Sequence, residues 1–319
     1  MANVFTDGGV VWANFLATGY DTFIEYQLRS EPIFRSVAVD KYPGSITNPG
    51  PTVTLSLAQE YASLATTPLT ETVDPDAVAP PAPIRVTVTL NEYGNASLET
   101  LRLKQLAFVS VDPMIANLLG KNRIDTMDKL VQNVADTGTY ILGPNGGVLK
   151  SQASGFAEGS VAAGDTFTDN AARNAVTLLR RRNVVGRDGA DNFMAVMHPD
   201  VTVDVMSNTG WLNPHAYVDT QNIYRAEIGS YLGARYLVSP RATVVTDGAG
   251  GTVKVYRTYY FGRQAIVEAM VEDAHTVIGP QTDKLRRFFP IGWYAHGGWA
   301  VYRQEAIQQV RTASSIAAL

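Results

Sequence analysis

Hydrophobic and polar residues change rhythm several times along this chain, and each change marks an element. The segment TVTLSL at 52–57 alternates strictly and places Val53, Leu55 and Leu57 on one side. IRVTVTL at 84–90 does the same with Ile84, Val86, Val88 and Leu90. A period of two marks a half-buried strand, so the pattern predicts two strands joined by a long connection. Beyond them the period turns helical, first in SLETLRLKQLAF and then in a segment opened by Asp112-Pro113, an N-cap residue with proline at the first helical position. Ile115, Leu118 and Leu119, then Met127, Leu130, Val131 and Val134, recur at spacings of three and four, the longest helical pattern in the chain.

The remaining segments predict a mixed body. DNAARNAVTLLRRR at 169–182 reads as a helix whose terminal Arg180, Arg181 and Arg182 complement its dipole. NFMAVM reads as a buried strand, with a helix or turn after His198-Pro199. TVVTDGAGGTVKVYRTYYF predicts two strands around a Gly-rich turn, GRQAIVEAMV a helix, and GWYAHGGWAVYRQEAIQQVRTAS closing strands. Upstream, residues 13–28 fit a short amphipathic helix, KYPGSITNPGP is turn and extended chain, and GPNGGV at 143–148 is a turn. The order is arm, projecting hairpin, long helix and α+β body.

The connection inside the hairpin contains ETVDPDAVAPPAP at 71–83, with three acids, four prolines and nothing that seeks burial. From Tyr42 through Ile84 there is no Lys or Arg. A long unstructured connection within a compact domain marks either function or disorder, and a projecting hairpin with an acidic, proline-stiffened end is the simplest geometry.

Composition narrows the function. The chain has 319 residues, 45% of them hydrophobic, enough for one large or two modest domains. A net charge of -4 argues against a dedicated nucleic-acid or membrane-surface binder. With no cysteine there is no disulfide, thiol nucleophile or thiolate metal site. The first basic residue is Arg29, and uncharged stretches such as 42–59 are polar and broken by Pro and Gly, so neither a secretory signal nor a membrane span is expected.

No catalytic or cofactor motif emerges. Gly120-Lys121 is followed by Asn122 within the helical region, so it is not a P-loop, and there is no GxSxG elbow. His198, His215, His275 and His296 lack metal-ligand spacing. Asp273 and His275 with a distant serine would form a triad only on paper, and Asp74 with Asp76 supplies too few oxygens for calcium. Two readings stay open for Arg180 to Arg182 with Arg173 and Arg187: contact with phosphates, or helix-end charge and bridges to neighbouring subunits. KLRR at 284–287 fits the second reading.

The order of elements, with AEIGSYLGARYLVSP at 226–240, YYFGRQAIVEAM at 259–270 and DKLRRFFPIGWYAHGGWAVYRQEAIQQVRTASS at 283–315, resembles the major capsid proteins of tailed bacteriophages, of the Hong Kong 97-type (Johnson) fold. The resemblance implies an N-terminal arm at 1–51, an extended E-loop hairpin at 52–94, and a peripheral domain with its spine helix at 95–192. An axial domain at 193–285 and closing strands returning to the peripheral domain at 286–319 would complete it. It implies many copies forming hexamers and pentamers of an icosahedral virion shell, made in the host bacterial cytoplasm, that encloses double-stranded DNA through nonspecific contacts. The apolar face of Val53, Leu55, Leu57, Ile84, Val86 and Val88 would lie across an adjacent subunit, with Arg180, Arg181 and Arg182 facing the lumen. Residues 52–94 contain no lysine, so covalent locking through an E-loop lysine is not expected. Noncovalent overlap or a decoration protein would stabilise the shell. A portal is a further implied partner, and entry into the arm soon after Met1 implies a separate scaffolding protein. Two competing readings are an encapsulin, a cargo shell of the same fold, and an α+β enzyme with an unrecognised site.

Overall fold

The computed structural model describes residues 32–41, 50–59, 61, 68–69, 71–72, 74, 78–106, 111–143, 158–187, 191–207, 229–280, 283–285 and 287–318. The helix expected over 13–28 and most of the turn at 143–148 lie outside these residues.

A short helix, α1 (Phe34–Ala38), leads into β1 (Val39–Lys41). β2 (Thr52–Leu57) and β3 (Ile84–Thr89) pair antiparallel in the register Val53↔Val88, Leu55↔Val86 and Leu57↔Ile84, so the alternating residues of both strands share one face. Then come β4 (Asn91–Thr100), α2 (Leu101–Leu106), the long α3 (Val111–Asp136), β5 (Ile141–Leu142) and α4 (Asp169–Arg181). They are followed by β6 (Phe193–Met197), α5 (Pro199–Ser207), β7 (Ser230–Tyr231), β8 (Ala234–Val238) and β9 (Val244–Thr246). The chain ends with β10 (Lys254–Phe261), β11 (Ile266–Ile278), β12 (Phe288–Val301) and β13 (Ile307–Thr312).

Among the described residues three sheets form. A four-stranded sheet has the order β1-β11-β12-β4, a seven-stranded one runs β5-β13-β10-β6-β8-β7 with β9 on β10, and β2-β3 stand apart. At 26 residues, α3 is about 39 Å long. Its buried stripe of Leu119, Met127, Val131 and Ala135 recurs at multiples of four and belongs to the main core. Trp293 on β12 donates from its indole nitrogen to Asn122 on this helix at 3.1 Å.

β10 is buried along nearly its whole length, and its tyrosines are tolerated because each phenol has a partner. Tyr256 donates to Asp200 at 2.6 Å, Tyr259 to Asp136, and the Tyr260 and Tyr236 hydroxyls meet at 3.1 Å. The turn after β9 uses Gly250 and Gly251 at φ of 72° and 69°, a region that favours glycine.

Two expected helices are displaced by strand. SLET belongs to β4, and helix follows only from Leu101. The helix expected in GRQAIVEAMV is the start of β11, where both faces are covered: Ile266 points into the main core while Val267 and Ala269 pack under the β2-β3 hairpin. Covering both faces removes the alternation that marks a strand and leaves apolar spacings that imitate a helix. β11 joins β12 and β4, whereas the terminal β13 joins the seven-stranded sheet.

Candidate assembly surfaces

The structure divides the predicted apolar face of the hairpin into a base and a tip. At the base, Val88 is 0% exposed and Leu55 6%, packed with Leu90, Val267 and Ala269, and Val53 and Val86 are half-buried against the same cluster. At the tip, Leu57 is half-buried and Ile84 is 46% exposed. The base thus meets its own subunit, and only the outer end of the face is open to another. Gly298 permits this seating, because a Cβ there would stand 2.0 Å from the Thr89 carbonyl oxygen. No side chain fits beneath that backbone.

Two charged clusters hold the hairpin's platform together. Arg35 on α1 forks onto Glu268 of β11 with bonds of 2.7 and 2.8 Å, and the Trp299 indole donates to the same carboxylate at 2.8 Å. Burial pushes the Glu268 carboxyl up, but the hydrogen bonds from Arg35 and Trp299 outweigh it and hold the group below the usual glutamate range. Beside it, Asp128 accepts the Arg35 backbone N–H at 2.9 Å, and here burial dominates and raises the carboxyl. The second cluster ties the end of α3 to the large sheet. Arg257 contacts Asp136 at 2.9 Å and Glu158 at 2.6 Å, and Arg311 reaches Glu158 at 3.0 Å. Each acid faces a guanidinium, the condition under which buried charge is tolerated.

The three arginines expected to act together do not share one environment. Arg180 and Arg181 are exposed at the end of α4. Arg182 stacks its guanidinium 3.6 Å from the Tyr140 ring centre and donates to Gln308 at 3.0 Å, and burial lowers its pKa. Arg173 is exposed as well, whereas Arg187 is tied to Asp40 at 2.9 Å.

The other sequence candidates stay scattered. His275 Nδ1 lies 3.1 Å from the Asp273 backbone oxygen rather than its carboxylate, so the paper triad does not form. His198 Nδ1 accepts the Asp200 N–H at 3.2 Å near the start of α5, and burial lowers its pKa. His215 and Asp76 lie outside the described residues, and Asp74 is exposed. Among the described residues no cluster of three or more His, Cys, Asp and Glu could hold a metal, and no helix is long and apolar enough to cross a membrane.

The described residues thus combine a long helix laid on a four-stranded sheet with a hairpin buried at its base and open at its outer end. The chain belongs to the phage capsid protein family, whose model matches residues 91–299. Solved structures similar to it include the capsid of Ralstonia phage GP4, with a TM-score of 0.72 at 13% identity over 93% of this chain and 94% of that one. The cyanophage Pam1 capsid asymmetric unit gives 0.69 at 13% identity over 92% and 95%, and the acid-stable capsid of Helicobacter pylori bacteriophage KHP30 gives 0.66 at 11% over 98% and 100%. At such identities the likeness is one of fold. A comparison with curated proteins finds no match. The protein is a major capsid protein of the Hong Kong 97-type fold and forms the capsid shell.

Proposed function

We propose that copies of this chain close into an icosahedral head of hexamers and pentamers around packaged double-stranded DNA, and that the chain performs no catalysis. In this reading β2-β3 is the extended loop that overlaps a neighbour. The four-stranded sheet with α3 is the peripheral domain, and the seven-stranded sheet is the axial one. The observation that carries it is the half-seated hairpin: Val88 is 0% exposed at its base, while Ile84 near its tip is 46% exposed. An apolar strand face left open at a projecting end is completed by another copy.

Of the basic residues, Arg180 and Arg181 are the lumen-facing pair in this proposal, since Arg182 is occupied by Tyr140 and Gln308. Their contact with DNA is with phosphate and therefore nonspecific and salt-dependent. Synthesis in the host bacterial cytoplasm and partnership with scaffolding, portal and decoration proteins belong to the same proposal and rest on the family alone. Expression of the chain with its neighbouring head genes, followed by electron microscopy, tests the reading. Closed icosahedral shells support it, and discrete small oligomers with no particle under any condition overturn it.

A further inference from the structure

The outer face of the four-stranded sheet, opposite α3, carries a groove of about 460 Å³ whose lining the shell reading does not use. Its floor is made of Gly94, Ala96, Gly279 and Gly292, brought side by side by the register Ala96↔Gly292↔Val277 and by the Gly279 N–H donating to the Pro290 carbonyl at 3.0 Å. Val277, Pro290 and Tyr294 form its walls. Four small residues on neighbouring strands leave the backbone of the sheet open to close approach, and a tyrosine and a proline beside them make a surface of the kind that accepts extended, proline-rich chain.

The same chain carries such a segment. Val78-Ala79-Pro80-Pro81-Ala82-Pro83 lies outside any helix or strand, with Val78 61% exposed. Its prolines offer no N–H to the sheet and hold the backbone near polyproline geometry without further ordering cost. Charge sets the direction. Glu71 and Asp74, both exposed, precede the prolines, and the turn joining β11 to β12 beside the groove carries exposed Lys284 and Leu285 at 71% exposure, while its Arg287 is held by Asp283 at 2.8 Å. Within one subunit both surfaces are open, with Val78 61% exposed and Val277 in the groove 39% exposed. The hairpin is also seated at the Gly298 end of β12, so the ten residues of β4, about 33 Å, separate its base from that turn.

The geometry points to a docking contact between copies: residues 78–83 of one subunit occupy the glycine-floored groove of another, with Glu71 and Asp74 on the side of its Lys284. This rests on the shell reading and specifies which surfaces meet within it. It is a head-to-tail contact, because the two surfaces differ, and such contacts propagate around rings.

The absence of cysteine makes the test clean. Full-length chains carrying Ala82→Cys and Ala96→Cys, both at exposed positions, are expressed separately, co-assembled, oxidised with diamide and run on non-reducing gels. A Val277→Cys chain serves as a second groove probe, and Thr177→Cys on α4, also exposed, as the control. The expected result is a covalent heterodimer of Ala82→Cys with either groove variant in assembled particles, lost on reduction and absent with Thr177→Cys. Intact particles in which neither groove variant cross-links overturn the docking contact and leave the shell reading standing. Failure of the unmutated chain to form shells overturns both.

Discussion

Val88 and Ile84 sit four residues apart on one face of β3, yet they differ sharply in burial, and a pair of truncations separates them. Val88→Ala removes two methyl groups from a side chain with 0% exposure. At about 0.8 kcal/mol per buried methyl-sized group, plus a cavity that neighbours fill only partly, the cost is about 2–3 kcal/mol. That cost falls on the hairpin and not on the whole fold, because Val88 belongs to a small cluster separate from the main core. Ile84→Ala removes more carbon, but from a residue already 46% exposed in the subunit, so its cost there is below about 1 kcal/mol. Amide hydrogen exchange on unassembled subunits reads the difference. In peptides covering 52–57 and 84–89, Val88→Ala is expected to speed exchange about 30- to 150-fold and Ile84→Ala less than about fivefold. In assembly the order reverses in kind: Ile84→Ala lowers shell yield while its subunit exchanges almost normally. Equal acceleration by both variants would refute the division of the face into base and tip.

Further outcomes follow from the platform beneath the hairpin. Gly298→Ala sets a Cβ against immovable Thr89 backbone and is expected to unseat the hairpin. It should expose β2-β3 to protease in folded subunits, and unchanged protease resistance would contradict this. Glu268, held below the usual glutamate range, contributes stability that is fully present above that range and is lost as pH falls from it through the lower folded value. The melting temperatures of the unmutated chain and of Glu268→Gln should therefore differ at neutral pH and converge in acid, as scanning calorimetry would show. Asp128 has the opposite sign, because its raised carboxyl favours folding in acid and loses that advantage as pH rises. Asp128→Asn keeps an oxygen for the Arg35 N–H, so at neutral pH it should melt no lower than the unmutated chain. Arg180→Glu with Arg181→Glu should leave subunit melting unchanged while reducing retention of DNA in filled heads, measured as the ratio of absorbance at 260 to 280 nm.

The alternation in TVTLSL and IRVTVTL made the hairpin legible, because period two is a local property and the strands do pair on that face. The recurrence at spacings of three and four from Ile115 to Val134 likewise announced α3. What stayed hidden depends on distant partners. β11 lost its strand signature because Val267 and Ala269 are covered by a hairpin drawn from residues 53–90. The burial of Glu268 required Arg35, which is 233 positions away. Arg182 read as one of three equal cations until the fold brought Tyr140 and Gln308 to it. The glycine-floored groove draws on three strands, and a linear pattern carries no record of which glycines become neighbours across a sheet.

The most direct test is cryo-electron microscopy of particles formed by the unmutated chain, at a resolution that traces β2-β3. Closed icosahedral shells in which each β2-β3 hairpin is seated at its base on its own Gly298 and at its tip on another subunit are the predicted result. Hairpins folded wholly onto their own subunits, or an absence of shells, would contradict it.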